Sequence, residues 1–405
     1  MPYNKILNNA KFGLNTLTLK INSRIKDVEG SSTLAITARA KELKAQGFDI
    51  VNFAAGEPDF DTPDSIKQAA IKAIQEGFTK YTPSIGTIEL RKAISQKFEK
   101  ENHLQYTPSQ IAVSCGAKHS IFNIIQVLAD EGEEVLIPAP YWVSYPEMVK
   151  IAGAVSKFIP TSAKTHFKIT AEELAQNISP RTKILILNSP SNPTGMLYSK
   201  QELSAIARVC VQHNIFVISD EIYEKLIYDT SEYCSIASLG REIYDLTITV
   251  NGVSKAYSMT GWRIGYCAGP QEIIEYINKF QDHATSNPSS ISQMAALAAL
   301  RESQEKVFSM RDEFKKRRDL MTSLLGGIPR ISLIKPEGAF YVFCDFSALG
   351  DSSILAKRIL DEINVAVIPG DSFGAKGFLR LSFATSEERI KEGCARITEW
   401  VKKNF

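Results

Sequence analysis

Leu246-Thr247-Ile248-Thr249-Val250, continued by Asn251-Gly252-Val253-Ser254-Lys255, is the stretch from which the fold can be read. Leu246–Val250 is a short, β-branched, apolar run of the kind that forms a buried strand, and a lysine follows its end. A lysine there is costly unless its ammonium is paired or its pKa is lowered. A lowered pKa leaves the neutral amine that attacks an aldehyde, which is what a Schiff-base lysine requires. A structural lysine at a strand end looks the same in sequence, so this stretch alone leaves both readings open.

The same texture recurs upstream. Ile111–Ser114, Glu134–Ile137, Lys183–Asn188 and Ile215–Ser219 read as buried strands, with helical patterns such as His119–Leu128 and Lys200–His213 between them. Strand and helix in that alternation predict an α/β fold with a mostly parallel sheet covered on both faces. Beyond Ser303 the pattern changes. Glu305–Leu325 reads as a long charged helix, followed by strands at Gly338–Phe343, Val365–Ile368 and Phe378–Phe383 and a closing helix, Glu387–Lys402. An early helix, Thr33–Gln46, is expected to pack with this second module. The division that follows is an extension at 1–30, a small domain built from 31–55 and 303–405, and a large domain at 56–302.

Composition limits the function classes. A chain of 405 residues suits two domains, and one this long buries roughly three quarters of its unfolded surface without needing disulfides or a structural metal. Its 47 basic and 45 acidic residues give a net charge of +2, which offers no electrostatic footprint for nucleic acid or an anionic membrane. Cysteines at 115, 210, 234, 267, 344 and 394 form no C-x-x-C pair, and the histidines show no ligand spacing, so no metal site is expected. Scattered thiols of this kind fit a reducing, cytoplasmic compartment. No apolar run is long enough to span a bilayer. The first 26 residues carry basic but no acidic side chains, faintly like a transit peptide; they are rich in Asn and hold one Ser, at 23, and read better as a solvated extension.

Three more strand ends carry chemistry. Asp220, in Ser219-Asp220-Glu221-Ile222-Tyr223, falls where open α/β sheets bind ligands. A carboxylate there keeps a pyridine nitrogen protonated, although an aspartate capping the next helix is the plainer reading. Asn188-Ser189-Pro190-Ser191-Asn192-Pro193-Thr194-Gly195 is a proline-fixed turn that places Asn192 to donate to a ligand oxygen. Ser114-Cys115-Gly116-Ala117-Lys118 runs from strand into helix and exposes backbone N–H groups, a ready phosphate site. Each signal is weak alone; four strand ends bearing this set in order, with Arg263 after the lysine, are far less expected by chance.

From about Ser31 onward the chain resembles a class I aminotransferase of fold type I, the aspartate aminotransferase family. The resemblance rests on Gly56-Glu57-Pro58-Asp59-Phe60, Lys80-Tyr81-Thr82-Pro83, Pro140-Tyr141-Trp142, Asn192-Pro193-Thr194-Gly195, Asp220-Glu221-Ile222-Tyr223 and Ser254-Lys255-Ala256-Tyr257-Ser258-Met259-Thr260-Gly261-Trp262-Arg263-Ile264-Gly265. These spellings are similar to the bacterial-type branch that includes thermophile aspartate aminotransferases and dual aspartate/prephenate aminotransferases. The resemblance implies a seven-stranded, mostly parallel large domain, a smaller α/β domain from both termini, and pyridoxal 5'-phosphate as cofactor. Amino-acid and 2-oxo-acid substrates then react in a ping-pong sequence through pyridoxamine phosphate.

It further implies that Lys255 carries the cofactor and moves protons, that Asp220 pairs with the ring nitrogen, and that Asn192 and Tyr223 donate to the ring oxygen. Trp142 stacks on the ring. The phosphate takes the Gly116–Lys118 turn with its Ala117 and Lys118 amides, Ser254, Arg263 and, from the partner of a homodimer, Tyr81. Arg380, in Phe378-Leu379-Arg380-Leu381-Ser382, grips the α-carboxylate as a bidentate fork, with the Gly56 amide region as a further contact. Lys118 and Thr33, with Arg39, are the candidates for the far end of a dicarboxylate. Gly252 replaces a hydroxyl residue that other branches place on the phosphate. The expectation is transfer of the amino group of L-aspartate to 2-oxoglutarate, with prephenate as a second substrate. An aromatic or broad-specificity aminotransferase and a carbon–sulfur β-lyase remain alternatives. A regulator built on this fold needs a DNA-binding domain that some 30 leading residues are too few to form.

Overall fold

The structure is a computed structural model and describes residues 22–229 and 232–405; most of the expected extension at 1–30 lies outside the described residues. The strands of the described residues are β1 Val51–Asn52, β2 Ile111–Ser114, β3 Glu134–Ala139, β4 Val155–Pro160, β5 Thr182–Asn188, β6 Phe216–Asp220, β7 Thr247–Gly252, β8 Gly265–Ala268, β9 Ser332–Leu333, β10 Tyr341–Asp345, β11 Val365–Ala366, β12 Ile368–Pro369 and β13 Phe378–Ser382.

Seven of them form one sheet in the order β2-β8-β7-β6-β5-β3-β4. Only β8 runs against its neighbours, pairing antiparallel with β2 and β7; the pairs from β7 through β4 are parallel. The C-terminal ends of β2, β5, β6 and β7 therefore share one edge. Side chains alternate across the sheet. Ile184 and Ile186 of β5 pack with Ile121, Ile124 and Ile277 on one face, while Leu185 and Leu187 pack with Leu203 and Ile206 on the other. Burial on both faces explains why these strands are nearly continuous apolar runs.

Local sequence fixes the helix ends. Ser199 and Glu202 form a capping box that starts the helix Lys200–His213, and Asn214, with φ 52°, ends it in the left-handed conformation. That helix and β2 have the predicted bounds; the predicted β5, β6 and β7 shift by a residue or two. Neither β4 nor β8 was anticipated. β4 is an edge strand with Val155 and Phe158 exposed, so it lacks a buried apolar run, and β8 is a four-residue segment that begins at the last residue of the motif around Lys255.

The second sheet, β12-β13-β10-β9, is antiparallel. It packs against the helices Glu305–Gly326 and Glu387–Asn404 through Phe314, Met321, Ile397 and Trp400. The early helix, Ser32–Ala45, shares a core with it through Ala40, Leu43, Phe343 and Ile368. Two predicted strands need correction. Val365–Ile368 is split, β11 pairing parallel with β1 and β12 antiparallel with β13. Gly338–Phe343 forms strand only from Tyr341, because the Glu337 and Gly338 amides donate to the Gly195 carbonyl and Ala339 takes φ 56°.

Candidate active site

The shared strand edge opens into a cleft of about 390 Å³, walled on its far side by the Ser32–Ala45 helix, Tyr341 and Arg380. Lys255 sits at its floor, half-buried, and its Nζ donates to the Gly56 carbonyl at 2.6 Å. Burial pulls its pKa down to about 8, Glu57 opposing and Arg263 and Arg380 assisting. The strand-end lysine thus has the weakened ammonium that an amine nucleophile needs.

Asp220 ends β6 and is buried, and its Oδ2 accepts a 2.6 Å bond from Tyr145 Oη. Its Oδ1 accepts from the Ile222 amide at 3.3 Å, but no helix follows, so the helix-cap reading is wrong. Burial raises the carboxyl to about 6, with the Tyr145 hydroxyl acting the other way. Tyr223 Oη lies 3.0 Å from Tyr341 Oη, and burial places its own pKa well above the usual phenol value.

Arg380 on β13 is 2% exposed. It donates to Asn192 Oδ1 and to the Ala54 carbonyl, both at 3.0 Å, and lies over the Tyr341 ring. Its Nε has no hydrogen-bond partner among the described residues. A buried guanidinium held only by neutral acceptors is the signature of an anion site. Since Asn192 Oδ1 accepts from the arginine, its amide NH2 is left to donate into the cleft.

At the other end, the helix Ala117–Leu128 starts at Gly116, which has φ 92° and provides no side-chain cap. The Arg263 guanidinium is folded against this turn, donating to the Cys115 and Thr260 carbonyls. A Cβ at Gly116 would fall 2.3 Å from Arg263 Nη2, so only glycine admits the arginine. Uncapped first-turn amides beside a guanidinium fit a phosphate. Gly252 has a packing reason too. A Cβ there would stand 3.0 Å from Gly265 Cα and Ile264 O, leaving little room for the hydroxyl residue of other branches.

Trp142, half-buried, lines the cleft, with Lys118 Nζ 4.9 Å from its ring centroid. Desolvation, then Arg263, lowers the Lys118 pKa. Ser254, Ala117 and Thr33 line the same space. Two sequence candidates are not brought there. Arg39 is exposed and pairs with Glu42 at 2.8 Å, because Thr33, Thr37 and Lys41 form the inward face of its helix and Arg39 falls off that face. Lys41 lines the cleft instead. Tyr81 is 91% exposed and lies outside this chain's cleft. Sequence reasoning missed Tyr145, Tyr341 and Asn188, whose Oδ1 accepts from the Asn192 amide at 2.7 Å. Nothing in the sequence around the two tyrosines distinguishes them from buried packing residues. Among the described residues no cluster of His, Cys, Asp and Glu could hold a metal, and no helix is long and apolar enough to cross a membrane.

Fold and cleft together describe an enzyme that binds an anionic, aldehyde-bearing cofactor beside a carboxylate substrate. The family model for aminotransferase class I and II matches residues 49–397. The chain is 49% identical over 386 residues to the aspartate aminotransferase of Bacillus sp. (strain YM-2), covering 94% of this chain and 98% of that one. It is 46% identical over 389 residues to the aspartate/prephenate aminotransferase of Cereibacter sphaeroides, covering 93% and 97%. Its structure superposes on that of aspartate aminotransferase from Thermus thermophilus with maleate at a TM-score of 0.91 and 42% identity, covering 94% and 99%. The chain belongs to the class I and II aminotransferases, and membership implies the use of pyridoxal phosphate.

Proposed function

We propose that the protein transfers the amino group of L-aspartate to 2-oxoglutarate and takes prephenate as a second acceptor. One observation carries this reading: a single cleft gathers the buried Arg380, which has no carboxylate partner among the described residues, with Lys118, Thr33 and Lys255. A substrate with a carboxylate at each end can pair with both cations of that cleft. The names of the relatives above support the same substrates.

Bound in this cleft, pyridoxal phosphate supplies the electron-withdrawing ring that accepts charge from the substrate's Cα and holds the nitrogen between substrates. The Gly116–Lys118 turn, Ser254 and Arg263 would hold its phosphate, Asp220 would pair with the ring nitrogen, Asn192 and Tyr223 would donate to the ring oxygen, and Trp142 would stack on the ring. Arg380 takes the α-carboxylate as a two-pronged fork, with the Gly56 segment beside it. The Lys255 amine then removes and returns the proton at Cα; its pKa, pulled down to about 8 by burial, makes the neutral amine far more accessible near physiological pH than an ordinary lysine would. Lys118, aided by Thr33, binds the distal carboxylate.

The unit formed by 31–55 and 303–405 carries Arg380 and Tyr341, and its movement over the 56–302 unit on binding would expel water. Exposed Tyr81, with Ile71, Ile74 and Phe78 exposed close by in sequence, suits a homodimer in which Tyr81 reaches the partner's phosphate. We place the enzyme in the cytoplasm.

The test follows the absorbance of the bound cofactor between about 300 and 500 nm. L-aspartate should bleach the visible band and 2-oxoglutarate should restore it, with L-arogenate, the amino product of prephenate, acting like aspartate. Bleaching by aromatic or sulfur amino acids but not by aspartate would overturn the assignment of Lys118.

A further inference from the structure

We infer that Tyr145 is a positioning residue whose hydroxyl keeps Asp220 an oriented carboxylate and ties it to the Trp142 ring. This rests on the reading of Asp220 as the partner of the cofactor's ring nitrogen.

Asp220 is 4% exposed at the end of β6, so water does little to hold its charge. Few groups replace that water. Lys255 is the facing cation, Tyr223 faces it as a neutral phenol, and Asn188 on β5 donates to the Asp220 backbone carbonyl rather than to the carboxylate. The carboxylate itself accepts the long 3.3 Å bond from Ile222 N and the 2.6 Å bond from Tyr145. A short hydroxyl–carboxylate bond is charge-assisted and favours the ionised form. It also fixes Oδ2, leaving the rest of the carboxylate edge toward the cleft.

Tyr145 is itself held firmly. It is 2% exposed, and its ring meets Trp142 edge-on, with centroids 5.3 Å apart at 86°. Its backbone N–H donates to the Trp142 carbonyl at 3.0 Å. One side chain thus spans the group that addresses the ring's nitrogen and the aromatic that covers its face. A plainer account makes Asp220 merely the acceptor that satisfies a buried tyrosine. The two accounts differ in what pH does.

The test measures the dissociation constant of pyridoxal phosphate for the full-length protein and for Tyr145→Phe by equilibrium dialysis between pH 5.5 and 8.5, and the transamination pH profile of each holoenzyme. Tyr145→Phe keeps the ring against Trp142 and removes only the donor. At pH 8.5 the two proteins should bind within about threefold of each other. Toward pH 6 the variant should weaken about tenfold more, with the acid limb of its rate profile about one pH unit higher, because a carboxylate that loses its donor takes up a proton sooner. Site-specific 3-fluorotyrosine at 145, a stronger donor of nearly the same shape, should move both limbs to lower pH, and decides the matter if Tyr145→Phe does not fold. Parallel binding curves for all three proteins, with transamination intact, overturn the positioning role and leave the proposed function standing. Failure of the unsubstituted protein to bind pyridoxal phosphate overturns both.

Discussion

Arg318 and Arg380 are both buried arginines, and their surroundings treat them in opposite ways. Arg318 has no exposed surface; its Nη2 contacts Asp229 at 2.8 Å and Asp319 at 2.7 Å, and Nη1 donates to the Pro336 carbonyl. Arg380 is 2% exposed, lies over the Tyr341 ring, and donates only to the Asn192 side chain and the Ala54 carbonyl among the described residues. The first cation came into the fold with its counter-ions. The second is desolvated with no carboxylate partner among the described residues, and in the function proposed above the substrate's α-carboxylate supplies one.

Substitution should separate the two sites. Replacing Arg380 by Met should lower kcat/KM for L-aspartate about a thousandfold, equivalent to roughly 4 kcal/mol of lost transition-state binding. Its melting temperature should be unchanged or raised, since no ion pair is lost. Steady-state kinetics and calorimetry on one sample check both halves. Arg318→Met should do the reverse, costing about 2–3 kcal/mol of stability in urea because Asp229 and Asp319 lose their buried cation and keep only lysine partners, with KM unmoved. A loss of catalysis in Arg318→Met that exceeds its loss of folded protein would break the contrast.

Lys255, half-buried, supplies a third cation in a desolvated setting, and pH tests it. Its folded pKa of about 8 lies below the ordinary 10.5. Between those values the unfolded chain binds more protons, so the stability of the cofactor-free protein should rise with pH across that window and stay penalised below it. The rise is roughly 2 kcal/mol and should vanish in Lys255→Met, as denaturant unfolding at pH 8 and pH 10 would show. Smallest is Lys118→Ala, which should weaken kcat/KM for aspartate by about tenfold, or ~1.4 kcal/mol, and leave phenylalanine untouched. Equal losses for both substrates would mean that Lys118 serves the cofactor and not the distal carboxylate.

Much of the large sheet was legible because a strand buried on both faces is apolar through its middle, as β5 is at Ile184–Leu187 and β6 at Phe216–Ile218. The residues at their ends stood out as polar groups breaking that rule, and the structure gathers Asn192, Asp220 and Lys255 in one cleft. What escaped reading obeys other constraints. β8 runs antiparallel and is too short to show a period. Tyr145 and Tyr341 sit at core positions, and nothing in sequence marks whether a buried phenol faces packing or a carboxylate. Arg39 was chosen for its charge, yet helix phase directs Lys41, not Arg39, toward the cleft. Charge type can be read from a sequence; direction on a helix needs its neighbours.

The reversal from β7 into β8 has a consequence for what the cleft can accept. Lys255 and Arg263 lie on the same connection, pinned at both ends by the pairing of Gly252 with Gly265. In the function proposed above, the covalent anchor and an anchor for the anionic tail are therefore marks on one short ruler, whose length is set by the number of residues between two sheet strands. Insertions in the Ser32–Ala45 wall would reshape the room for a substrate. An insertion between Val253 and Ile264 would change the length of cofactor that fits, so this loop should accept changes of side chain far more readily than changes of length.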